Sequence, residues 1–182
     1  RVEVVGAKVS ADFTRKAIIA VIFSWLAILI YVTWRFEFRY AAGGILALVH
    51  DTLIVIGAVA LMNMEFTINI LAVLVFVIGF SINDTIVTLD RIREIVKRNP
   101  KQKLGDIINL AINETLSRTI LTSLTVFFTV LALYIFGGAV IRDFAFALLI
   151  GTVVGTYSTI YIACTSVLFL ENMQLSKIQR KE

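Results

Sequence analysis

Five stretches of this chain stay apolar for about as long as a helix needs to cross a bilayer, and that feature constrains the fold more than any other. A hydrocarbon core of roughly 30 Å takes about 20 helical residues. The qualifying segments are Ala17 to Trp34, about Ala41 to Met62, about Thr67 to Leu89, about Thr115 to Phe136 and about Phe144 to Leu170. Within the third, Ile70 to Ile78 carries no polar side chain. Backbone groups in lipid must be satisfied inside their own segment, so such runs are helices, and no ten-residue alternation suggests a barrel. Composition agrees. Hydrophobic residues make up 59% and charged residues 16%, against about 45–50% and 25% in soluble domains. The expected fold class is an all-α membrane protein, a polytopic bundle of five transmembrane helices.

The Lys and Arg residues set an orientation. Arg91, Arg93, Lys97, Arg98, Lys101 and Lys103 follow the third span and mark the cytoplasmic side. Alternation puts Arg35, Arg39 and the C-terminal Lys177, Arg180 and Lys181 on that side too. The Met62 to Glu65 loop has no basic residue, and the Gly137 to Asp143 loop has only Arg142. Residues 1–16 then lie outside, although they hold Arg1, Lys8, Arg15 and Lys16. A chain that starts outside needs an earlier span, so the expectation is a fragment. Residues 1–16 read as the tail of an external domain, residues 17–170 as the transmembrane domain and residues 171–182 as a cytoplasmic tail. The Val alternation in "RVEVVGAKVS" is strand-like. Between the third and fourth spans, Leu104, Ile107, Ile108, Ala111 and Ile112 share one helical face behind Pro100. They predict a short cytoplasmic amphipathic helix over about Lys101 to Asn113.

Ionisable groups inside the spans carry the functional reading, because each costs at least about 2.5–3.5 kcal/mol at a helix centre. Asp84 lies six residues before Asp90, roughly 9 Å deep at 1.5 Å per residue. Ser81, Asp84, Thr85 and Thr88 follow i, i+3, i+4, i+7 spacing and make one polar stripe. Arg118, Thr122, Thr125 and Thr129 make another on the next span, at similar depth. Pairing Asp84 with Arg118 is the cheapest way to hold both charges in lipid. A fixed pair is a structural clasp. A pair that parts when Asp84 takes a proton is a switch, since burial favours the neutral acid and a nearby guanidinium the carboxylate. His50 and Asp51 sit near the middle of the second span and either relay protons or hydrogen-bond within the bundle. Gly151, Gly155, Thr159 and Ala163, at intervals of four, read as a close-packing stripe. Gly137 and Gly138 read as a turn, and Cys164 as a small packed hydrophobe. One His, with no metal-ligand cluster, nucleophile–base pair or phosphate loop, argues against an enzyme and against a cofactor other than the proton.

"FEFRYAAGGILALVHDTLIVIGAVAL", "VIGFSINDTIVTLDRIRE" and "INETLSRTILTS" resemble the membrane domain of the SecF family of protein-export subunits, within the wider group of proton-driven RND-type proteins. The resemblance runs from about Val5 to Met173. It implies the last five spans of a six-span RND-type half, with a large external domain between the first and second. It also implies work beside the SecYEG channel in complex with SecD, in a cell inner membrane, on unfolded secretory polypeptide, surrounded by lipid and without nucleic acid. Asp84 and Arg118 match the charged residues that the family ties to proton movement, with Ser81, Asn83 and Thr85 supplying hydrogen bonds. An RND-type exporter of small molecules or lipids is the alternative, and a scaffold with a fixed Asp84–Arg118 pair is a third reading.

Overall fold

The computed structural model describes residues 7–179, and within them every long apolar run is helical. The elements are α1 (Ala7–Arg35), α2 (Phe38–Leu61), α3 (Ile68–Arg98), α4 (Leu104–Phe136) and α5 (Gly138–Ser158), then a π-helical turn (Thr159–Ala163) that leads into α6 (Cys164–Gln179). Five segments are long and apolar enough to cross a membrane, the last being Ile141–Met173, which includes the π turn.

Helix ends follow the local chemistry. A break of two residues, Phe36 and Glu37, separates α1 from α2. After α2, Asn63 takes a positive φ of 51°, which its short polar side chain tolerates. Between α4 and α5 the turn is as tight as a helical hairpin allows. Gly138 has φ +74°, and a Cβ on Gly137 would sit 2.4 Å from the Leu133 carbonyl oxygen, so both positions require glycine.

Two sequence expectations change here. The amphipathic stretch is helical from Leu104 but is not a separate helix, because it continues unbroken into the fourth span as the first turns of α4. Its apolar residues Ile107, Ile108 and Ala111 are buried in the bundle instead of lying along its surface. Of the strand-like "RVEVVGAKVS", residues 1–6 lie outside the described residues, and from Ala7 the chain is already α1. The expected C-terminal tail is α6 up to Gln179, and residues 180–182 lie outside the described residues.

The bundle is built around α3. Half of its span is buried, against 17% for α4 and 6% for α1, and it packs on α1, α2, α4 and α5. Side chains pack into two apolar clusters. One gathers Phe36, Tyr40, Leu89, Ile92, Ile107 and Val167 toward the basic end of the helices. The other gathers Val55, Val59, Val73, Val77, Val130 and Leu148 toward the opposite end. Apolar side chains gain little by leaving lipid for protein, so close packing holds such a bundle together. Gly151 supplies the tightest approach: a Cβ there would lie 2.1 Å from Val77 Cγ2. Ion pairs tie the basic end. Arg35 meets Asp90 at 3.2 Å, Arg91 meets Glu114 at 2.5 Å, and Arg39 on α2 pairs with Glu171 on α6.

Candidate functional site: a buried polar layer between the two clusters

Where the two apolar clusters meet, α2, α3 and α5 bring polar side chains into the dry centre of the bundle. Asp51, Ser81, Ser158 and Thr159 are fully buried, and Asp84, Thr85 and Thr88 are within 4% of it. The α3 stripe Ser81, Asp84, Thr85 and Thr88 therefore faces protein along its whole length. Asn83 does not share that face. It is exposed, because it lies about 100° around the helix from Asp84.

Asp51 is the hub. Its Oδ2 accepts hydrogen bonds from Ser81 Oγ at 2.5 Å and Ser158 Oγ at 2.7 Å. Its Oδ1 lies 3.0 Å from Nδ1 of the adjacent His50. A carboxylate in apolar surroundings is tolerable only with partners of this kind, and here they come from α2, α3 and α5. One turn further along α3, Thr85 and Thr159 share a hydrogen bond of 2.9 Å. The glycine stripe makes these contacts possible. Gly155 faces Ser81, where a Cβ would come within 3.2 Å of the serine Cβ.

Asp84 is the opposite case. Its carboxyl is buried, and neither oxygen has a hydrogen-bond partner. The groups that bear on it electrostatically are the Thr119 hydroxyl and the Arg118 guanidinium of α4. The structure does not join Asp84 and Arg118 in an ion pair, although it does bring them onto neighbouring helices at similar depth. Arg118 is exposed, as are Thr122, Thr125 and Thr129. Those hydroxyls are satisfied within α4, Thr122 donating to the Arg118 carbonyl at 2.9 Å, and Thr125 and Thr129 donating to carbonyls one turn back at 2.8 Å. The face α4 turns inward is one residue over, at Thr119 and Ser123, and Ser123 Oγ accepts a 2.7 Å hydrogen bond from Thr156 on α5.

Sequence reasoning missed Ser158, Thr119, Ser123 and the π turn. Ser158 follows Gly155 by three residues and so extends the glycine face. The π turn also left a trace. Positions 151, 155, 159 and 163 are all buried, yet a period of four drifts by about 40° per step on an ordinary α-helix. A wider turn at Thr159–Ala163 takes up that drift and keeps the stripe on one face.

The arrangement defines a polytopic helical membrane protein with two buried carboxyl groups among the described residues, Asp51 with hydrogen-bond partners and Asp84 without. The model for protein export membrane protein SecD/SecF, C-terminal, matches residues 1–173, and the chain belongs to that family. The protein translocase subunit SecF of Calditerrivibrio nitroreducens is 51% identical over 176 residues, which are 96% of this chain and 58% of that protein. That of Koribacter versatilis is 47% identical over 162 residues, 89% of this chain and 40% of that protein. The chain thus spans about half the length of the relatives it matches. Among solved structures, SecDF in its super-membrane-facing form superposes with a TM-score of 0.88 at 40% identity, covering 98% of this chain and 24% of that one. SecDF of Thermus thermophilus, a translocon-associated membrane protein, superposes at 0.87 with 42% identity, covering 92% and 23%.

Proposed function

We propose that this chain is the membrane-spanning part of a SecF-type subunit of the Sec export machinery, which works with SecD beside SecYEG and is driven by the proton-motive force. Its membrane is a cell inner membrane, and its basic end faces the cytoplasm, an orientation that the Lys and Arg distribution supports. The cargo is unfolded secretory polypeptide, the coupling ion is the proton, and the chain itself catalyses no covalent reaction. The names of its relatives and of the SecDF structures support the export pathway and the SecD partner.

One observation carries the proton reading: a buried carboxyl, Asp84, with no hydrogen-bond partner on either oxygen. A bare carboxylate in a buried site costs far more than the neutral acid. The neutral acid is therefore the form of Asp84 that we assign to this conformation, in which Arg118 makes no ion pair with it. When Arg118 turns inward, or a cation from the partner half replaces it, the carboxylate becomes the favoured form and the proton leaves. Motion that moves a guanidinium relative to Asp84 is thereby linked to proton binding and release.

Infrared difference spectra of the full-length protein with its partner subunit, taken across pH, test this. A carboxylic C=O band that titrates, is absent in Asp84→Asn and shifts in Arg118→Ala is the expected result. Secretory precursors are expected to accumulate in cells carrying Asp84→Asn. An Asp84 that stays ionised at every pH, or an Asp84→Asn variant with normal export, refutes the assignment.

A further inference from the structure

The end of α3 and the start of α4 carry charges that the bundle does not use. Lys97, Lys101 and Lys103 are exposed, and among the described residues none of them has an ion pair. Arg98 beside them is held by Glu94 at 2.5 Å. Over residues 97–106 the only acid is Asp106. Next to these lysines, α3, the loop that follows it, α4 and α6 line a crevice of about 440 Å³. We infer that the crevice and its lysines are a docking site for an acidic segment of another protein, which seats an apolar side chain in the crevice and sets carboxylates against the lysines. This goes beyond the proton reading of Asp84 and does not depend on it.

The walls suit such an anchor. Val96, Leu104, Ile107 and Leu168 make one side apolar, while Gln102 and Lys103 belong to its polar side. Its volume falls in the usual range of about 300–1,000 Å³ for binding pockets. Lys97 follows Val96 in the chain, and Lys101 stands between two lining residues, Pro100 and Gln102, so both adjoin the crevice. The one acid in its lining, Glu171, is already taken up by Arg39. An incoming carboxylate therefore meets unpaired ammonium groups.

Distance from the membrane argues against lipid as the occupant. Asp90 marks the level at which α3 leaves the apolar layer, since it meets Arg35 at 3.2 Å, next in the chain to the exposed Trp34, and tryptophan settles at the interface. The helix then runs on to Arg98, about 12 Å along its axis at 1.5 Å per residue. A headgroup layer is only about 5–7 Å deep, so the crevice opens into water beyond it. The chain's own end does not suit the site either, because Lys177, Arg180 and Lys181 outnumber Glu182 there. A second copy meeting it face to face would bring the same lysines. Like charges set across a contact are costly. An acidic segment of a different protein fits both the charge and the apolar wall.

The test places the photo-crosslinking residue benzoylphenylalanine at Gln102 of the full-length protein, with its partner subunit, in membrane vesicles whose basic end faces outward. Mass spectrometry should map the adduct to a peptide with Asp or Glu residues around a bulky apolar one. Its yield should fall as salt rises. It should also fall by at least about ten-fold in a variant carrying Lys97→Glu, Lys101→Glu and Lys103→Glu, because like charges then face each other. All three positions are exposed, so the fold is kept. Gly105→Leu fills the crevice and leaves every charge in place. A Cβ there meets nothing within 4 Å, and a helix gains by losing a glycine. It should lower the yield as well. An adduct with lipid alone, no adduct, a peptide without acidic residues, or a yield that salt or either variant leaves unchanged overturns the docking site.

Discussion

Replacing Gly151 by Ala adds one methyl group at the closest approach in the bundle. The new Cβ would lie 2.1 Å from Val77 Cγ2, 3.1 Å from its Cγ1 and 3.2 Å from its Cβ. Carbon atoms rest at about 3.5–4.0 Å, so the shortfall is roughly 1.5 Å. Turning Val77 does not relieve it, because its Cβ is also too near and β-branched residues in helices have one strongly preferred rotamer. Either Val77 leaves that rotamer or α5 moves off α3, and overpacking of this kind costs about 1–3 kcal/mol. The movement also pulls Ser158 from Asp51, whose bond is 2.7 Å. The assay is reversible unfolding of the full-length protein in mild detergent, wild type against Gly151→Ala, Val77→Ala and the double variant. Val77→Ala alone loses buried contacts, but in the double variant the added methyl occupies the vacated space. The two penalties should therefore fall short of additive by at least about 1 kcal/mol. Gly57→Ala, where an added Cβ meets nothing within 4 Å, is the control and should stay within about 0.5 kcal/mol of wild type. A Gly151→Ala protein as stable as wild type, or penalties that simply add, would refute the close approach of α3 and α5.

Three further outcomes are expected. Asp51→Ala strips the acceptor from two buried serine hydroxyls and should destabilise by about 1–3 kcal/mol, more than Asp51→Asn in the same unfolding assay. Cys164 is 2% exposed and its thiol donates to the Thr159 carbonyl at 3.4 Å, so maleimide should label it only after unfolding in sodium dodecyl sulfate. Arg39→Ala removes the link between α2 and Glu171 on α6, and it should cost at most about 1 kcal/mol, with the difference shrinking as salt rises in the unfolding titration.

The α3 stripe was legible in the sequence because spacing along one helix is a local property: Ser81, Asp84, Thr85 and Thr88 had to share a face, and in an apolar helix that face had to be covered. The same logic placed Arg118 with Thr122, Thr125 and Thr129 and paired Arg118 with Asp84, an ion pair the structure does not form. In the structure they face outward, and α4 presents Thr119 and Ser123 to the bundle instead. The joining of the amphipathic stretch to the fourth span was not legible either. Its polar loop side and apolar face suit a surface helix as well as the end of a long one, and the choice depends on the pocket that α3 and α6 offer Ile107.

What the sequence by itself determined is the number of spans, their helical state and the presence of carboxyl groups within them. Each follows from run length and from the rule that lipid satisfies no backbone group, so no distant residue can overturn it. Only the tertiary structure decided which of those carboxyls is partnered. Asp51 meets Ser81 and Ser158 across 30 and 107 positions of sequence, through an approach of α5 to α3 that Gly151 and Gly155 permit. Asp84, almost as buried, has the Thr119 hydroxyl and the Arg118 guanidinium nearby but no hydrogen bond to either oxygen. Helix rotation and separation of an ångström or two separate these outcomes, and such quantities are set by the packing of whole helices rather than by any one segment.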